Sequence, residues 1–203
     1  SPTDMGVNMA GFGIVDDEAC RDASKMEIVR RYFAGAVKVQ RTGLGQEEVD
    51  RLEIIMRKVG IDPDFNPARK AALNKAEETG APAGALIMPD GSIVTGKTSE
   101  LLGAASSLLI NAAKQAAGVD HETWIIADEA LVPICNLKTN VLQGRNPRLH
   151  PDEMLIALSI SSASNKLAKD TIEALDQLRG CDAFFSSIIS EDDERLYKTL
   201  GIN

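Results

Sequence analysis

A change of hydrophobic period near residue 80 constrains this chain more than any other feature. Up to Glu78, apolar residues recur at three- and four-residue spacing, which predicts helices; from Ala83 they gather into short, partly β-branched runs, which predict strands. The runs Ala83 to Met88 and Ser92 to Gly96 flank Pro89-Asp90-Gly91, a strong hairpin signal. Ser99 can then cap a helix, Glu100 to Ala117, that is rich in small residues (Ala104, Ala105, Ala112, Ala113, Ala116) and is ended by Gly118. A helix with so little bulk can lie very close to a sheet. Hairpin and close helix together are consistent with a layered α/β fold.

Before the change of period, three helices are predicted. Ala19 to Gln40 carries Met26, Val29, Phe33, Ala36 and Val37, with acidic Asp16-Asp17-Glu18 at its start, where a helix dipole favours them. Glu47 to Val59 aligns Val49, Leu52, Ile55, Met56 and Val59, and Gly60 ends it. Ala68 to Glu78 follows Asn66-Pro67, a cap with proline at the first helical position. After the alanine-rich helix come a strand at Thr123 to Ala127, a helix at Glu129 to Leu142 capped by Asp128, and a polar loop to Leu149. Helices at Pro151 to Ser162 and after Asn165, a strand at Asp182 to Ile189 and a helix opened by Glu191-Asp192-Asp193-Glu194 complete the order. The fold class expected is α/β: a helical subdomain over residues 1–80, then an α/β sandwich with a mixed sheet over residues 81–203.

Charge shifts at the same place. Between Arg21 and Lys75 there are 12 Lys+Arg against 8 Asp+Glu, whereas the remainder holds 10 against 22. The net charge of -8 argues against broad electrostatic capture of nucleic acid or anionic lipid. No apolar run reaches the ~18 residues of a membrane helix, so neither nucleic acid nor membrane is an expected partner. Three cysteines, Cys20, Cys135 and Cys181, form no disulfide framework and suit a reducing cytoplasm. Two histidines, His121 and His150, and no Cys-x-x-Cys leave too few ligands for a zinc site.

Gly91-Ser92-Ile93-Val94-Thr95-Gly96-Lys97-Thr98 satisfies the phosphate-loop pattern G-x-x-x-x-G-K-T. A true phosphate loop follows a strand and opens a helix, whereas here Gly91 sits in the hairpin turn and Ile93-Val94-Thr95 reads as strand. What remains is Lys97, Thr98 and Ser99 at a strand end and helix start, either an anion site or an ordinary serine cap beside a solvated lysine. The loop Asn146-Pro147-Arg148-Leu149-His150-Pro151-Asp152-Glu153 concentrates an amide, a guanidinium, an imidazole and two carboxylates. His150 with Glu153 is the acid/base candidate, with Asn146 and Arg148 as anion contacts; alternatively the two carboxylates only serve a helix N-terminus. The Gly-rich opening contributes Asp4 and Asn8 as substrate contacts, or is a frayed end.

The stretches Ser1 to Gly11, Lys75 to Ala83, Ile93 to Ser99, Asn146 to His150 and Leu200 to Asn203 resemble the bacterial family known as domain of unknown function 1846, in order and over essentially the whole chain. The resemblance implies that the chain is the C-terminal part of a longer protein, whose N-terminal α/β half carries a phosphate-loop-like segment. It implies a cytidine-deaminase-like topology for the second subdomain, without the deaminase chemistry: Cys135 has no partner cysteine three residues away. It also implies a histidine after Cys-x-Ala, where this chain has Phe184. Some members are labelled ATP-dependent zinc proteases, but the chain has no His-Glu-x-x-His. The expected function is therefore a share in an enzyme acting on a nucleotide or another phosphorylated small molecule. Any nucleotide and its Mg²⁺ would be held through the N-terminal half, which is the expected partner along with further copies of the chain. The alternative is a non-catalytic assembly or regulatory module for that half.

Overall fold

The computed structural model describes residues 17–203, and these divide into two compact units at Asn66/Pro67. The first holds α1 (Asp17–Thr42) and α2 (Gln46–Val59), which pack on each other, and a single 3-10 turn at Pro63–Phe65. Gly35 of α1 makes that packing close, because a Cβ there would stand 3.1 Å from Val49 of α2.

The second unit is built on a three-stranded sheet: β1 (Ala83–Ile87), β2 (Ile93–Lys97) and β3 (Asp182–Phe185), in the order β2-β1-β3 and antiparallel throughout. The hairpin forms as expected, Ala83 opposite Lys97 and Ile87 opposite Ile93, with Gly91 at φ 82° in its turn. Both faces of β1 are covered, so Ala83 to Leu86 are all buried. On one face lies α3 (Pro67–Thr79), whose Ala68 and Ala72 pack with Ala85 beside Ile87 and Phe184. On the other lies α4 (Ala104–Ala116), and here the small-residue argument holds in full. A Cβ on Gly96 would fall 2.3 Å from the backbone nitrogen of Leu108, so only glycine admits the helix at this distance. Beyond α4 come α5 (Asp128–Asn136), α6 (Pro151–Ser161), α7 (Lys166–Glu173) and α8 (Glu191–Thr199). They close a core around Leu86, Leu108, Leu109, Met154, Leu158 and Tyr197.

Four expectations need correction. The units meet at residue 66 rather than near residue 80, because α3 belongs to the sheet; the charge shift is a property of solvated faces and carries no information about what the buried face covers. The sheet is not mixed, because Thr123 to Ala127 does not join it. Ile125 and Ile126 are buried there, but side chains satisfy the flanking backbone. The carbonyls of His121 and Thr123 accept from Lys114 Nζ, and the amide of Ala127 donates to Ser161 Oγ at 2.8 Å. Ser99 does not cap the alanine-rich helix, which starts only after Gly103; its hydroxyl instead accepts from Leu102 N at 3.0 Å, closing a short turn. The helix expected to Leu142 ends at Asn136 and widens into a π-helical turn at Leu137–Val141, which begins four residues after Pro133 removes an intrahelical donor. The hairpin-then-helix order expected of a deaminase-like arrangement is seen, but among the described residues the sheet has three strands, all antiparallel.

Candidate functional site

Three segments far apart in sequence are tied together at the start of α4. Leu149 bridges Leu102, its amide donating to the Leu101 carbonyl at 2.8 Å, while its own carbonyl accepts from the Gly103 amide and, at 2.7 Å, from the buried Ser106 hydroxyl. Tyr197 of α8 is fully buried and donates its hydroxyl to the Ala105 carbonyl at 2.8 Å. Burial first, and Asp193 nearby second, push its phenol well above the ordinary tyrosine range, so the hydroxyl stays a donor. The segment after β3 leaves the sheet once Ser186 has exchanged hydrogen bonds with the backbone of Ala83, and runs past the same place to Ser190.

As a result the N-termini of α4, α6 and α8 meet around one groove of about 220 Å³, bordered by Thr98, Arg148, His150, Ser187 and Asp193. His150, Ser190 and Asp193 also border an adjoining groove of about 470 Å³ that runs along α8 to Thr199. Two of the three helix starts are satisfied by side chains: Ser190 Oγ accepts from Asp193 N at 3.1 Å, and Asp152 Oδ1 accepts from Glu153 N at 2.8 Å. The start of α4 receives no side-chain cap from Gly103. Gly103, Ala104, Ala105 and Ser106 border the smaller groove, so the positive end of this 13-residue helix lies beside it.

His150 stands at the junction of the two grooves, half exposed, with Nδ1 3.2 Å from Asp193 Oδ1. A carboxylate opposite Nδ1 selects the tautomer protonated there and leaves Nε2 as an acceptor. Arg148 donates Nε to the Ser99 carbonyl at 2.6 Å, and among the described residues its two terminal nitrogens make no further hydrogen bond. Asn146 accepts from Arg148 N at 3.1 Å, an Asx turn that shapes the loop.

The two residues expected from sequence to form an acid/base pair, His150 and Glu153, do not meet side chain to side chain. Glu153 does not meet the imidazole: its Oε2 accepts from His150 N at 2.8 Å and pairs with Lys138 Nζ at 2.6 Å. Facing both a backbone amide and an ammonium, it is an N-terminal cap held by a cation. The carboxylate that meets the ring is Asp193, 43 residues away, and its sequence signal was the Ser190-x-x-Asp193 start of an acidic helix. Of the anion contacts, Thr98, Asn146 and Arg148 border the smaller groove. Ser99 spends its hydroxyl and carbonyl on the turn and on Arg148, and Lys97 projects from edge strand β2 outside both grooves. Asp4 and Asn8 lie outside the described residues. The phosphate-loop pattern is strand: Ile93 to Lys97 pair with β1, so those residues form no loop to wrap a phosphate.

Among the described residues no group of three His, Cys, Asp or Glu side chains is arranged to hold a metal ion. Cys181 is buried and its thiol is pushed up by that burial, which keeps it a small apolar filler rather than a nucleophile.

The chain belongs to the bacterial family described as domain of unknown function DUF1846: its N-terminal model matches residues 1–60 and its C-terminal model residues 64–203. The helical segment therefore matches the N-terminal description, which a resemblance to the C-terminal part alone did not anticipate. The chain is similar to UPF0371 proteins: 48% identical over 202 residues to one from Corynebacterium aurimucosum and 47% over 203 residues to one from Streptococcus thermophilus. It is 45% identical over 203 residues to another, from Streptococcus pneumoniae. In each case the match takes in all of this chain and 41% of the relative, so the chain spans about two fifths of the length of the curated relatives it matches.

Proposed function

We propose that this chain supplies the acid/base side of a site that binds and transforms a phosphorylated small molecule, nucleotides included, in the cytoplasm. The observation that carries the reading is the uncapped start of α4 facing the same groove as Arg148, with the His150–Asp193 pair at its edge. A phosphate there would meet the positive end of α4, the Thr98 hydroxyl and the unused terminal nitrogens of Arg148. His150 Nε2 would exchange a proton with the reacting group, and Asp193 would hold the ring in place. The rest of the longer protein completes the site. Mg²⁺ would come with the nucleotide.

The test is a thermal-shift screen of nucleotides and phosphorylated metabolites with Mg²⁺, on a full-length relative and on this chain. A ligand at a hundred times its Kd adds about 2.7 kcal/mol. His150→Ala, Asp193→Asn and Arg148→Ala in the full-length protein should abolish the response while leaving the melting temperature nearly unchanged. A response that survives all three substitutions rejects the site.

A second reading, an assembly module that joins copies of the protein or its own N-terminal half, is favoured by one observation. Val132, Leu137, Val141 and Leu142 on α5 and the turn after it, and Ile156 and Ile160 on α6, are each at least half exposed. Light scattering on the chain, with Ile156→Glu/Ile160→Glu as control, tests it: a monomer that the double substitution leaves unaltered removes self-association.

A further inference from the structure

Resting on the reading of the groove as a ligand site, we infer that Lys138 is a positioning residue: it holds the loop that carries Arg148 and His150. Lys138 lies in the π-helical turn after α5, where the widened helix brings its side chain against the loop instead of into solvent. Its Nζ donates to the Arg148 carbonyl at 2.6 Å and to Glu153 Oε2 at 2.6 Å, and the same oxygen accepts from the His150 amide at 2.8 Å. One ammonium therefore fixes the backbone on both sides of Leu149, next to each of the two side chains that reach the groove. The pair is well shielded, with side-chain exposures of 14% for Lys138 and 26% for Glu153, so water competes weakly for it.

The turn itself is held in place for this purpose. The Gly144 amide donates to the Lys138 carbonyl at 2.8 Å, and a Cβ on Gly144 would come within 2.9 Å of that oxygen. Cys135 Sγ reaches the Pro147 carbonyl at 3.6 Å, a third tie from the same stretch to the same loop. Arg148 and His150 themselves are exposed, and each is held by a single side-chain bond, to the Ser99 carbonyl and to Asp193 respectively. A site on an exposed loop needs such support to hold its geometry to fractions of an ångström.

The test compares Lys138→Met, Lys138→Arg and Glu153→Gln in the 203-residue chain by nitrogen-15 NMR, without ligand and then with inorganic phosphate. The chain has two histidines, which makes assignment simple. His121 provides an internal control, since its carbonyl is held by Lys114 at the far end of α4, roughly 20 Å from the groove at 1.5 Å per residue. In Lys138→Met and Glu153→Gln the imidazole nitrogens of His150 are expected to lose their single-tautomer signature while His121 is unmoved. Phosphate should bind about tenfold more weakly, and Lys138→Arg should restore both. Lys138→Met with an unaltered His150 ring overturns the inference, even if the His150 amide exchanges faster, because Lys138 would then support only the helix start. If phosphate does not bind the unsubstituted chain, the ligand reading fails, and the ligand-free ring signature alone decides the role of Lys138.

Discussion

The two ends of α4 solve the same problem in opposite ways. At the C-terminal end, buried Lys114 turns its ammonium onto the carbonyls of His121 and Thr123, and the chain closes over it. The cation completes a helix end whose dipole is negative, and burial lowers its pKa despite Asp120 and Glu122 nearby. At the N-terminal end the positive pole is left uncapped, and the nearest guanidinium, Arg148, commits one nitrogen to the protein and leaves two open. Both ends pair a cation with backbone carbonyls; one end is used up and the other has capacity to spare. That difference, more than any residue type, separates a structural corner from a site.

Substitutions can break or sharpen the comparison. The largest effect is expected where α4 itself is placed: Gly96→Ala puts a methyl group into the backbone at Leu108, which costs about 3 kcal/mol or more by chemical denaturation. Next comes the sealed end. Lys114→Met leaves two shielded carbonyls without a donor and costs about 2–4 kcal/mol, and His150 should keep its ring signature.

Tyr197→Phe removes the bond that ties α8 to the open end and costs about 1 kcal/mol. It should also change the alkaline limb. The folded phenol has a raised pKa, so the fold keeps its proton where the unfolded chain releases it. The stability it contributes is complete below the ordinary tyrosine pKa of about 10 and falls as pH rises above it. Denaturation above that pH should show a slope that the phenylalanine variant partly loses. The smallest stability effect belongs to the open end: Arg148→Ala should change stability by no more than about 0.5 kcal/mol while weakening phosphate binding about tenfold. If Arg148→Ala destabilises as much as Lys114→Met, the two ends are alike and the site reading loses its basis.

Local pattern exposed the helices, the hairpin and the closeness of α4, because each depends on spacing within a few residues. The loop at Asn146 to Glu153 was legible as a concentration of reactive side chains, and it does border the groove. The partner of His150 was not. Glu153 was close in sequence, but a residue three positions into a helix folds back onto the cap's amide, and that is where Glu153 goes. Asp193 reaches the ring from α8, which Tyr197 ties to the start of α4. Ile125 and Ile126 misled for a related reason: burial and β-branching are properties of the side chains, whereas strand pairing requires a free neighbouring backbone, and Lys114 and Ser161 had already taken it.

By itself, then, the sequence determined the hairpin and the approximate helices, that a helix of small residues can lie very close to the sheet, and which loop concentrates the reactive side chains. These follow from backbone conformational preferences and the period of apolar residues, which act over a few positions. The tertiary structure alone decided that α3 belongs to the sheet, that the sheet ends at three antiparallel strands, and that His150 meets Asp193 while Lys138 takes Glu153. Those outcomes depend on which polar group finds a partner first when distant segments are packed together, and spacing along the chain holds no record of that competition.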